Sequence, residues 1–174
     1  MRSVPASFRD QLAIVEELLR EVERMETGEK RLAARTSLGS YERELRLAGL
    51  AQRVAQAYTI IEGVLAYVAR RIDRAPVTGE DWHKRLISRC AQPFDDPKRA
   101  ALVTAPLAED LFELCEFRHV VRNIYPTRLH EPKVRENLER LIRASRAFGA
   151  ECKAFAAGFS PARKPKSRRR TGRR

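Results

Sequence analysis

Between Leu47 and Ile72 the apolar positions Leu47, Ala51, Val54, Tyr58, Ile61, Leu65, Val68 and Ile72 recur every three or four residues. That period is the turn of an α-helix, and it keeps one face apolar along the whole stretch. A helix this long cannot bury such a face alone and must lie against other helices. The spacing predicts a helix from about Tyr41 to Asp73. Three further long patterns share the period. The first starts near Ser7, a candidate N-cap, and carries Phe8, Leu12, Val15, Leu19 and Val22. Gly28 is expected to weaken it before it continues toward Arg35, and "TSLGS" makes the turn that follows. After the Tyr41–Asp73 pattern, "APVTGED" leads into a short helix around Trp82, Leu86 and Cys90, with Thr78 and Asp81 spaced as in a capping box. "AQPFDDPK" reads as a loop with two prolines. Helix resumes by Leu107, with a stripe of Leu107, Leu111, Leu114, Phe117, Val121 and Ile124, and Pro126 stops it. The last pattern starts near Pro132 and carries Val134, Leu138, Leu141, Ser145, Phe148, Cys152, Phe155 and Phe159. The expected fold is all-α: an up-and-down bundle of four long helices plus one short helix.

Charge divides the chain unevenly. From Pro161 onward "PARKPKSRRRTGRR" carries eight basic residues and no acid, so subtracting eight from the net +12 leaves +4 for the rest. A segment so charged and so poor in apolar residues cannot bury surface. Residues 1–159 are therefore expected to form one helical domain and 160–174 a disordered basic tail. The tail serves either sequence-independent attraction to nucleic acid phosphate or solubility. Cys90, Cys115 and Cys152 stand far apart, outside any CxxC or Cys/His cluster. They read as small buried hydrophobes in a reducing compartment. Neither a signal-peptide run nor a stretch long enough to span a bilayer is present, so a cytoplasmic location is expected. No glycine-rich phosphate loop, nucleophile elbow, HExxH motif or set of metal ligands is found, and neither metal nor cofactor is expected.

The chemistry-bearing stretch is "FRHVVRNIYP", Phe117 to Pro126. On a helix Arg118, Arg122 and Tyr125 share a face beside the core stripe, whereas His119 and Asn123 share another, with Arg118 and Asn123 about 140° apart. From spacing alone the favoured reading is that the two arginines serve the helix dipole near its C-terminus, with Tyr125 as an edge aromatic. The pattern resembles the HEPN superfamily, and within it the HepT-like toxins that accompany minimal nucleotidyltransferase (MNT) antitoxins. Their signature is Arg, four residues, His, one residue, Tyr, which here falls on Arg118, Asn123 and Tyr125. "YTIIEGVLAYVARRID", "TGEDWHKRLI" and "VRENLERLI" resemble the family as well, so the likeness spans roughly Leu45 to Phe155.

The resemblance implies a homodimer whose motif helices face each other across a basic cleft, with RNA (tRNA or mRNA) as substrate and no metal. It implies that Arg118 holds the scissile phosphate with Arg122 nearby, and that Tyr125 accepts AMP from an MNT-family nucleotidyltransferase antitoxin. The chain departs from the signature where the family has its catalytic histidine. Asn123 hydrogen-bonds but does not titrate, so it cannot act as general acid or base. Four explanations stay open: a natural loss of activity, an engineered inactive variant, a stand-in role for His119 one turn away, or cleavage by positioning alone. The alternative function is a non-enzymatic helical dimer that binds a nucleotidyltransferase partner and RNA. Of the other histidines, His83 is expected to cap or pack in the short helix, and His130 to be exposed before the last one.

Overall fold

The structure, a computed structural model, describes residues 6–33, 39–123 and 129–158. Its elements are α1 (Ala6–Ala33), α2 (Ser40–Tyr67), α3 (Trp82–Cys90), a two-stranded hairpin of β1 (Phe94–Asp95) and β2 (Lys98–Arg99), α4 (Ala105–Asn123) and α5 (Glu131–Gly158). Interhelical ion pairs report the direction of each neighbour. Arg53 of α2 meets Glu21 of α1 at 2.6 Å, and Arg46 further back along α2 meets Glu29 further on in α1. Arg146 of α5 reaches Glu26 of α1, and Lys153 reaches Glu16. Both α2 and α5 thus run antiparallel to α1. At the other side of α5, Glu151 binds Thr104, at the start of α4, while Arg143 binds Asp110. The result is the expected up-and-down bundle. Apart from the part-buried Arg46–Glu29 pair, these largely exposed pairs fix register more than they stabilise, at about 0–1 kcal/mol each.

The core follows the stripes read from the sequence, with one rotation. In α1 the buried positions are Phe8, Val15, Leu18, Val22 and Met25. Leu12 and Leu19 are only half-buried, because they flank the face that α1 turns to the bundle. Leu19 instead lies against α5 at Gly149, where a Cβ would stand 2.9 Å from its Cδ1. Gly28 does not interrupt α1, which runs through it unbroken. The helix already begins at Ala6, so Ser7 lies inside the first turn rather than ahead of it. All of Ala51, Val54, Tyr58, Ile61, Leu65, Val68 and Ile72 are buried, as are Leu107, Leu111, Leu114 and Phe117 of α4 and the stripe of α5 from Val134 to Phe155. All three cysteines are buried and free, as the sequence implied. Burial pushes the Cys90 and Cys152 thiols up to about 12, which leaves them unreactive.

Three local features differ from expectation. α2 ends in a π-helical turn over Val68–Ile72, in which the Asp73 amide donates to the Val68 carbonyl at 2.9 Å. The Thr78–Asp81 capping box does not form. Asp81 takes a left-handed backbone (φ 53°) and its carboxylate makes no cap, while the Thr78 carbonyl accepts from Arg85. The proline loop holds the small hairpin, paired Phe94 with Arg99 and Asp95 with Lys98. Among the described residues no helix is long and apolar enough to cross a membrane. The "TSLGS" turn falls mostly outside the described residues, as do Ile124, Tyr125, Pro126, Phe159 and the basic tail.

Candidate functional site

Glu62 is the one acid in the apolar run "YTIIEGVLAYV" and sits beside Ile61 on the inward side of α2, 5 % exposed. A carboxylate so buried needs partners. It has two, each from another element. His83, the second residue of α3, places Nδ1 in hydrogen-bond contact with Glu62 Oε1. Arg118 of α4 brings Nη1 to 3.4 Å from the same oxygen. Arg118 Nη1 and His83 Nδ1 lie 3.5 Å apart.

An ionised carboxylate accepts, so this contact fits the His83 tautomer that donates from Nδ1. The Trp82 ring lies 3.8 Å from the imidazole, centroid to centroid, and covers one side of it. Beneath the cluster, Tyr58 and Cys115 face each other in the core, and burial raises both of their pKa values. Above it Lys84 of α3 pairs with Glu116 of α4 at 2.5 Å. That contact holds the Glu116 carboxyl low and the Lys84 amine high.

The motif residues fall on both sides of this cluster. The Arg118 side chain is 12 % exposed, and His83, at 29 %, is the more open of the two. Arg122 starts on the same helical face but is exposed, and it makes no ion pair or hydrogen bond among the described residues. His119 and Asn123 point outward together. The Asn123 amide donates to the His119 carbonyl at 2.8 Å, so it is occupied with its own helix and not with Arg118. The divergence of Arg118 and Asn123 is therefore real within one chain. Tyr125 lies outside the described residues.

His83 does more than the expected capping or packing, for it touches the motif arginine through Glu62. Sequence reasoning missed both residues. The available signal was Glu62 itself, a charge at a core position of a helix that is otherwise apolar there. Among the described residues no cluster of histidine, cysteine and carboxylate groups could hold a metal ion.

A family model described as HepT-like protein matches residues 49–159, more than half of the chain. The chain belongs to the HepT-like family. The matched stretch contains Glu62, His83 and the whole motif, and leaves out α1, the start of α2 and the whole tail. No curated protein matches the chain, and no solved structure does. Membership carries the HEPN superfamily with it, and a function of the HEPN toxin type.

Proposed function

We propose that this HepT-like chain is the toxin subunit of a HEPN/MNT toxin–antitoxin pair, from a lineage of metal-independent endoribonucleases, with the motif histidine replaced by Asn123. The observation that supports this most is Arg118. A guanidinium held by a buried carboxylate at the end of α4, inside the family match, is oriented and still has N–H groups free for a phosphate. Cleavage by this lineage needs a proton taken from the 2′-hydroxyl, and Asn123 cannot take it. Because Arg118 turns inward and Asn123 outward, one cleft gathers both types when two copies meet across a two-fold axis, so the working unit is a homodimer. Tyr125 is the AMP acceptor for an MNT-family nucleotidyltransferase. Adding AMP there places charge and bulk where RNA phosphate lies, and so silences the cleft. Residues 160–174 form a basic tail that adds phosphate attraction without sequence preference, and the pair works in the cytoplasm.

The deciding experiment is Asn123→His in purified protein, with chelator present and tRNA or mRNA as substrate. Cleavage rises about 100-fold or more if position 123 carries the missing proton transfer. Equal cleavage by both forms overturns that assignment. The amide at position 123 favours a second reading, a dimer that binds RNA and its nucleotidyltransferase without cutting. RNA binding by both forms with cleavage by neither supports this second reading.

A further inference from the structure

We propose that His83, oriented by Glu62, is the proton-transfer group of this chain, so that Glu62, His83 and Arg118 form a catalytic constellation which does not use position 123. The inference rests on the ribonuclease reading above and specifies its chemistry. Three observations carry it. The Nδ1–H of His83 is fixed on a buried carboxylate, an arrangement that selects the tautomer with Nε2 as base and offsets the charge of the imidazolium once it forms. Nε2 makes no hydrogen bond among the described residues, and the His83 side chain is part-exposed. The arginine of the motif stands 3.5 Å from the same ring. A phosphate bound by Arg118 therefore arrives beside the imidazole ring whose Nδ1 is turned to Glu62, whereas the Asn123 amide faces away and His119 lies on its side of the helix.

The reaction closes without a co-reactant. His83 Nε2 takes the 2′-hydroxyl proton as the 2′-oxygen forms its bond to phosphorus. The bond from phosphorus to the 5′-oxygen breaks, and its electron pair leaves on that oxygen. The imidazolium returns the proton to the 5′-oxygen, giving a 2′,3′-cyclic phosphate and a free 5′-hydroxyl. Free N–H groups of Arg118 meet the charge that builds on the phosphoryl oxygens. Glu62 touches no reacting atom and is a positioning residue.

The test uses the full-length chain, chelator, and two substrates: a random-sequence single-stranded RNA pool and total tRNA. Cleavage is compared for the parent, His83→Ala, His83→Asn, Glu62→Gln and Asn123→His. The expected result is slow cleavage by the parent to cyclic-phosphate ends and a loss of about 100-fold or more in His83→Ala. Added imidazole restores part of the lost activity in His83→Ala, but none in Glu62→Gln, where the native ring still fills the space. His83→Asn keeps a donor toward Glu62 and removes the base, so it loses cleavage with RNA affinity unchanged, even if His83→Ala fails to fold. Parent-like cleavage by either His83 variant overturns the proposal. So does a folded His83→Ala chain that loses activity and gains nothing from imidazole. A parent that does not cut, beside an Asn123→His chain that does, overturns His83 and leaves the toxin reading standing. No cleavage by either, with no RNA bound, overturns both.

Discussion

Arg99 and Arg118 each meet a buried carboxylate carried by α2 and its π-helical extension, Asp73 at the end and Glu62 about three turns earlier. Around Arg99 the enclosure is complete. Nε and Nη2 bind the two Asp73 oxygens at 2.5 and 2.7 Å, Nη1 donates to the carbonyls of Gln92 and Ala100, and Nη2 also donates to Arg89. That engages all five N–H groups, and Phe94 lies 5.5 Å from the guanidinium carbon. Arg118 has one long contact to Glu62, at 3.4 Å, with an imidazole beside it. The first arginine ties the hairpin to the end of α2 and can bind nothing else. The second is steadied but keeps donors available. The same pairing of residue types thus gives a fastening in one place and a site in the other, and the difference lies in how many donors the fold consumes.

The sharpest way to break this comparison is at Arg99. Replacing it with Met leaves Asp73 buried and alone, and breaking such a pair costs about 3–5 kcal/mol. Urea unfolding of Arg99→Met should show that loss, with RNA affinity per folded molecule unchanged. Adding Asp73→Leu to the same chain should recover part of it, since no charge is then left unpaired. A loss below about 1 kcal/mol would mean that water reaches Asp73 and that the enclosure is incomplete.

At Arg118 the balance should reverse. Arg118→Ala leaves Glu62 its His83 contact, so the stability loss should stay under about 1.5 kcal/mol. RNA affinity should fall about 10- to 100-fold, the size of one or two lost charge-assisted hydrogen bonds. Arg118→Lys should restore only part, because an ammonium cannot present two parallel donors to a phosphate. Filter binding at fixed salt measures the one and urea unfolding the other. If Arg118→Ala destabilises as much as Arg99→Met, both arginines are fastenings and the comparison fails.

The sequence carried the helices and most of the core because both depend on spacing. Val54, Tyr58, Ile61 and Leu65 are legible as a face whatever packs on it, and the start of α4 at Ala105 and of α5 at Glu131 lie within two residues of expectation. The two arginine clusters were not legible, because their partners come from elements whose approach no periodicity encodes. Asp73 and Arg99 lie 26 residues apart and meet only because the hairpin folds back under α2. Glu62, His83 and Arg118 belong to three helices, and only their packing makes the site. A charge at a core position, as at Glu62, is nevertheless a visible mark that a partner must arrive.

The smallest effect is expected at Asn123, and it is informative for that reason. Its side chain is exposed, and the one hydrogen bond it makes returns to the His119 carbonyl one turn back on the same helix. An amide that bonds back into its own exposed helix contributes little to the fold, and water replaces it when it is removed. It neither buries charge nor touches Arg118. Asn123→Ala should therefore change the unfolding free energy by no more than about 0.5 kcal/mol. RNA affinity should fall less than for Arg118→Ala, and slow cleavage, if His83 drives it, should persist. Assaying Asn123→Ala and Arg118→Ala side by side separates an exposed face from a held arginine. A loss of cleavage in Asn123→Ala as large as in His83→Ala would mean that position 123 still takes part in the reaction by positioning, and that the constellation of Glu62, His83 and Arg118 is incomplete without it.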